Sequence, residues 1–380
     1  MRASAVSLSF ATLALVAACS SNPSPSTSSR PRQGARGRDS IPGNVVIENN
    51  RPDVSARAGL VIVANQQAAT ATVLDAASMK SIVTLPVGLG PHEVAVSYDG
   101  RWAVVTNYGD RTTEGNTLSV IDLTAAGVPT VARTIDLGAY HRPHGVAFVG
   151  SGNKLAVTSE TSQRLLIVDF ATGRVDTALA TNGRGSHMVA AQRDGRRAWT
   201  ANIADGTVTE YDLDRRRTGR TFPAAPMDEG IATTPGGVQV WVGSNTAHTV
   251  TVLDAARGTA IDTLTGFGGA YRIGISRSGL LAVINDPVSN RIWLYDVDTR
   301  RKLAEIDLAT VDGVRGPPGS AGAAKAGPEG VAFDPIADVA YVTLNGTNQV
   351  VVVDLHERKV IGFGPVGAGP DGVAYSPYVR

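Results

Sequence analysis

The feature that most limits what this chain can become is a sevenfold repeat. Seven apolar segments end in aspartate: "ATVLD" at Asp75, "LSVID" at Asp122, "LLIVD" at Asp169, "VTEYD" at Asp212, "VTVLD" at Asp254, "IWLYD" at Asp296 and "VVVVD" at Asp354. A second series opens on a turn and runs into small apolar residues. It reads "PHEVAVS", "PHGVAFV", "SHMVAAQ", "DEGIATT", "AYRIGIS", "PEGVAFD" and "PDGVAYS", starting at Pro91, Pro143, Ser186, Asp228, Ala270, Pro328 and Pro370. Most offsets are 42 or 43 residues, and the longer ones mark insertions.

A period of about 40 residues with four short strand signals per unit is the signature of a β-propeller blade. Residues 187 to 223 show one unit: "HMVAAQ", a turn at Asp194-Gly195, then "RAWTAN", "TVTEYDL" and "TGRTFP". The chain ends on an orphan first strand, "DGVAYSP", and its first unit, "GLVIVAN", "TATVLDA" and "SIVTLPV", lacks one. The predicted fold is therefore all-β: a seven-bladed propeller of four-stranded antiparallel blades. The C-terminal strand joins the N-terminal blade and removes the open edge. Trp102, Trp199, Trp241 and Trp293 suit the wedges between blades, and the seven aspartates suit turns that accept backbone N–H bonds.

The second strands "AVVTNYG", "AWTANIADG" and "AYVTLNGTN", with a "GP-x-GVA" lead-in, resemble the YVTN-type repeat of lactonase-like propellers. The resemblance spans residues 59 to 380. Such repeats occur in surface-layer-like proteins, in lactonase-like propellers and in many proteins of unassigned role, so what it implies is a fold.

The N-terminus carries a targeting signal. Arg2 precedes an apolar run too short for a comfortable membrane span, and the run closes on Val16-Ala17-Ala18-Cys19. This resembles the lipobox of bacterial lipoproteins, which implies cleavage before Cys19 and lipid on that residue. The division expected is a signal peptide over 1–18, a Ser/Pro/Arg tether over 19–43 and the propeller over 44–380. Cys19 is the only cysteine, so the propeller contains neither disulfides nor thiolate metal ligands. The expected location is the bacterial cell envelope, membrane-anchored and facing periplasm or exterior. A net charge of +1 gives no electrostatic case for nucleic acid as a partner. The expected state is a monomer.

Chemistry concentrates at one register. The residues that open the seven first strands are His92, His144, His187, Glu229, Tyr271, Glu329 and Asp371. In a propeller these face the mouth of the central channel. Three of the six histidines fall on seven such positions, an arrangement with a chance on the order of one in ten thousand. His92, His144, His187 and Glu229 lie on consecutive blades. Imidazoles and a carboxylate with a position left for water suit Zn2+ or another divalent transition metal. Glu329 or Asp371 could then take a proton. Arg272 with Tyr271 could hold an anionic or sugar-like group, and Glu93, His141, Arg142 and Arg184 flank the same loops. A hydrated polar channel without metal is the alternative for this ring.

Residues 309–328, "ATVDGVRGPPGSAGAAKAGP", form a long insertion on the same side, expected to be mobile. Three roles stay open. The first is a lipid-anchored binding module holding a metal or small ligand at the axial mouth. The second is a metal-assisted hydrolase, lactonase or lyase at the same ring. The third is a scaffold for envelope proteins or polymer.

Overall fold

The computed structural model describes residues 54–314 and 325–379. The signal peptide, the tether, Cys19, residues 44–53 and the middle of the 309–328 insertion lie outside the described residues. Seven four-stranded antiparallel sheets follow one another along the chain, as the repeat predicts. The blades are numbered from the N-terminus. Their second strands are Leu60–Asn65, Trp102–Gly109, Lys154–Ser159, Arg197–Asn202, Gln239–Ser244, Leu281–Asp286 and Val339–Leu344.

The first blade is composite. Pro370–Ser376 pairs antiparallel with Leu60–Asn65, matching Leu60 to Ser376, Ile62 to Ala374 and Val63 to Val373. Blade 1 thus takes its inner strand from the far end of the chain.

Burial explains the composition of each strand. Middle strands are sandwiched between neighbouring blades and read as continuous apolar runs: Val339–Leu344 is buried throughout. Outermost strands meet water on one side, so Lys359–Pro365 buries one residue in seven. Seven apolar clusters result, one at each junction between consecutive blades. Trp241 and Trp293 fill the wedge between blades 5 and 6, and Trp199 that between blades 4 and 5. The repeated aspartates cap turns: Asp75 accepts from Ser78 N at 2.8 Å, Asp169 from Thr172 N at 2.9 Å and Asp354 from Glu357 N at 2.8 Å.

Candidate functional site

The backbone of the axial ring is set by second-strand side chains. The Thr106 hydroxyl accepts from Glu93 N on its own blade and donates to the carbonyl of His144 on the next, both at 2.9 Å. Thr158 accepts from Gly145 N at 2.8 Å and donates to His187 O at 2.6 Å. Thr343 accepts from Gly330 N at 2.7 Å and donates to Asp371 O at 2.6 Å. One buried hydroxyl therefore ties two inner strands together and places the residue that opens the second of them.

Close approach is the other requirement. A Cβ on Gly372 would lie 2.3 Å from the His92 carbonyl oxygen, and one on Gly230 would lie 2.1 Å from that of Tyr271. Side chains at this register survive only where the neighbouring blade leaves room. Glu93, Met188 and Arg272 occupy it, and the two charged ones reach each other across the axis: Arg272 Nη2 is 2.9 Å from Glu93 Oε1.

Arg272 is the centre of the ring. It is 3% exposed, lies over the Tyr271 ring at 4.6 Å, and also stands 3.4 Å from Glu229 and 3.6 Å from Asp371. Its charge is met by carboxylates of the chain itself. His92 Nδ1 donates to Asp371 Oδ2, and the Gln66 amide lies 2.8 Å from His92 Nε2. Both nitrogens of His92 are thereby engaged. The three imidazoles form a stack, with centroids 4.5 Å apart for His92 and His144 and 3.7 Å apart for His144 and His187. His187 Nδ1 is 3.1 Å from Glu160 Oε2, and its Nε2 is 2.7 Å from Glu229 Oε2.

The environment divides these groups. Burial holds His144 well below the usual histidine range, and the charges of His187, His92 and Arg272 push the same way. Burial also opposes charge on His187, but Glu229 and Glu160 outweigh it and push that imidazole up to about 9. Burial disfavours the ionised form of Asp371, yet His92 and Arg272 hold its carboxyl below the ordinary value. Glu329 goes the other way. Burial, reinforced by Asp371, pushes it up to about 9, and its visible partner is the Asn345 amide at 3.2 Å. Asp228 is fully buried, and burial raises its carboxyl to about 8 against the backbone N–H groups of Asp228 and Asn202, which lower it.

Sequence reasoning missed a second register at the end of each second strand: Gln66, Glu160 and Asn345 stand one residue past it, and Tyr108 falls one residue before the end of the longer strand Trp102–Gly109. Gln66 contacts His92. Tyr108 packs edge-on against His92 and His144 and donates from its hydroxyl to Glu160 Oε1 at 3.0 Å. Glu160 meets His187, and Asn345 meets Glu329. Blades 1, 2 and 3 each send this residue to the ring position of the following blade. Glu160 completes the one group of three or more potential ligands found among the described residues: His144, Glu160 and His187 have donor atoms within 4.8 Å of one another.

Two of the flanking residues, Arg142 and Arg184, have other partners. Arg142 stacks over Tyr108 at 4.8 Å and pairs with Glu114 at 3.2 Å. Arg184 is largely exposed and pairs with Asp205 at 2.7 Å.

No protein-family model matches this chain, and no curated protein matches it. Among solved structures, it is similar to a structure titled Kuenenia stuttgartiensis hydrazine synthase, with a TM-score of 0.62 and 16% identity. That match covers 76% of this chain and 90% of the other. It is also similar to a functionally unknown protein from Desulfotomaculum acetoxidans, with a TM-score of 0.68 and 14% identity. There the coverage is 84% of this chain and 99% of the other. At such identities the likeness concerns the fold. With 1707 matching chains, that fold does not single out an activity.

Proposed function

We propose that this chain is a lipid-anchored envelope propeller of the YVTN type that binds one divalent transition metal, Zn2+ or similar, at its axial mouth. The anchor rests on Cys19 and the short apolar run before it. The observation that carries the metal reading is the environment of His144. Its Nδ1 is buried beside His187 and Glu160 without a hydrogen-bond partner among the described residues.

The donor set fits. Two imidazole nitrogens and one carboxylate oxygen are ordinary ligands for Zn2+, and donors around a tetrahedral ion stand roughly 3.3 Å apart. The 3.1 Å between His187 Nδ1 and Glu160 Oε2 is close to that spacing. When bound, such an ion would act as a Lewis acid toward a ligand or water at its open position. The chain's own residues supply the frame. Tyr108 orients Glu160, Thr158 fixes the His187 backbone, and Glu229 holds the far side of the His187 ring.

The test is metal content after equilibration with Zn2+ and removal of the excess, for the native chain and for His144→Ala and Glu160→Gln. About one ion per native chain, lost in both variants, supports the reading. A native chain that holds no ion, or variants that keep it, would sink it. A panel of lactones and esters then separates a binder from a hydrolase.

A further inference from the structure

The inner strands have two ends, and the second mouth differs from the first. Where the first strands finish lies a cavity of roughly 930 Å3, reached by the chain turns of blades 1, 2, 3, 4, 6 and 7. A smaller recess beside it adds Thr233, Thr234 and Pro235 of blade 5. Its volume falls within the range of small-molecule sites, about 300–1,000 Å3.

Part of its wall is apolar. Val96, Phe148, Ala191, Phe333 and Tyr375 line it, with Ile336 at the rim, 70% exposed. These five wall residues share one register of the first strand, four residues past the ring at the other mouth. One end of the axis is thus closed by charged side chains, while the other presents an apolar collar.

The cavity carries charge of both signs, and its positive charge is gathered at one place. Arg193 and Arg277 line both the cavity and the adjoining recess. They approach from blades 4 and 6, on either side of the blade 5 turn. The turns lie side by side: Gln192 donates to Gly236 O at 3.0 Å, and a Cβ on Gly279 would stand 3.1 Å from Pro235 Cδ. Arg193 lies 5.8 Å over the Tyr98 ring, a contact that leaves its charge in place. No ion pair to a carboxylate is found for either arginine among the described residues. On blade 7, next to the blade that carries Arg277, two carboxylates also line the cavity: Asp334 is buried and accepts from Ile336 N and Ala337 N, and burial, with Asp354 beside it, holds Asp338 above the usual carboxylate range.

We infer that this second mouth is a binding site for a small organic anion. A flat apolar or aromatic body would occupy the collar, and a carboxylate or similar acid would sit between Arg193 and Arg277. Guanidinium groups suit the acid because they offer paired donors to its two oxygens. The apolar wall supplies affinity by burying the body of the ligand. This site lies at the end of the channel away from the imidazole stack and does not depend on the metal reading.

Three naphthalene probes test it, used with the purified native chain at low salt and followed by calorimetric titration. They are 1-naphthoate, the neutral 1-naphthalenemethanol and the cationic 1-naphthylmethylammonium. The anion is expected to bind most tightly, by roughly tenfold over the neutral probe. The double variant Arg193→Gln/Arg277→Gln alters exposed side chains only. It should cost the anion about tenfold and leave the neutral probe unchanged. Filling the collar by Ala191→Phe should weaken both. The inference is overturned if 1-naphthoate does not bind, or if it binds the double variant as well as the native chain. Metal content, unaffected by the arginine substitutions, reports on the other mouth separately.

Discussion

The hydroxyl of Thr158 on blade 3 donates to the carbonyl of His187 on blade 4 at 2.6 Å while accepting from Gly145 N at 2.8 Å. All of these groups are buried, so the bond both joins two blades and aims an imidazole at the axis. Thr158→Val keeps the shape and removes the hydroxyl. A buried N–H and a buried carbonyl then lose their partner, at a cost of about 1–3 kcal/mol. Urea denaturation should register that loss, and Zn2+ affinity should fall with it. Unchanged stability would mean that the blades are held by packing alone.

Arg272 supports a second prediction. It faces Glu93, Glu229 and Asp371 in a space almost closed to solvent. Removing one member of a buried ionic group is far costlier than removing the group, because the remaining charges are left without compensation. Arg272→Met should destabilise the protein by about 3–5 kcal/mol. Arg272→Met/Glu93→Gln should recover part of the loss, which a double-mutant cycle measures. A cycle showing no coupling between the two positions would contradict the arrangement.

The closing strand gives a third. Residues Pro370–Ser376 complete blade 1 and supply Asp371, the partner of His92. Ending the chain after Gly369 exposes the edge of Leu60–Asn65 and empties one position of the ring. Loss of cooperative unfolding and concentration-dependent association are expected, read by calorimetry and light scattering. A truncated chain that melts like the native one would show that closure adds little.

Much of this was legible from the repeat, and the limits have physical causes. Strand number, blade count and closure follow from apolar periodicity, which burial enforces at every junction. His92, His144, His187, Glu229, Glu329 and Asp371 were legible because they share a register, and residues in register share a place on the axis. Glu160 and Gln66 were not. They stand one residue past a strand end, where each blade carries a different residue type, so no enrichment marks them. Arg272 was legible as a channel residue but not as the hub of three carboxylates. That role depends on distances across the ring, between residues as far apart in sequence as Glu93 and Arg272. The collar at the second mouth was hidden for a plainer reason. Val96, Phe148 and Phe333 read as core residues in any strand, and only the open axis distinguishes them.

Glu329 sets the last prediction. Burial raises its carboxyl from an ordinary 4.5 to about 9, with Asp371 pushing the same way and Arg272 and Asn345 opposing. The folded protein therefore keeps a proton that the unfolded chain has already released above its own pKa. A state that binds more protons loses ground as pH rises. The contribution of Glu329 is fully present below about pH 4.5 and declines as pH climbs toward 9. Glu329→Gln presents a neutral amide at every pH and removes that dependence. Groups away from the ring titrate alike in both proteins, so the comparison isolates Glu329 together with the groups it interacts with, among them Asp371 and Tyr271. The melting temperature of the native protein should fall relative to the Gln variant across this window, by roughly 5 °C or more at its upper end. Parallel profiles would mean that Glu329 is ionised in the folded state, with Arg272 satisfying it despite the intervening carboxylates.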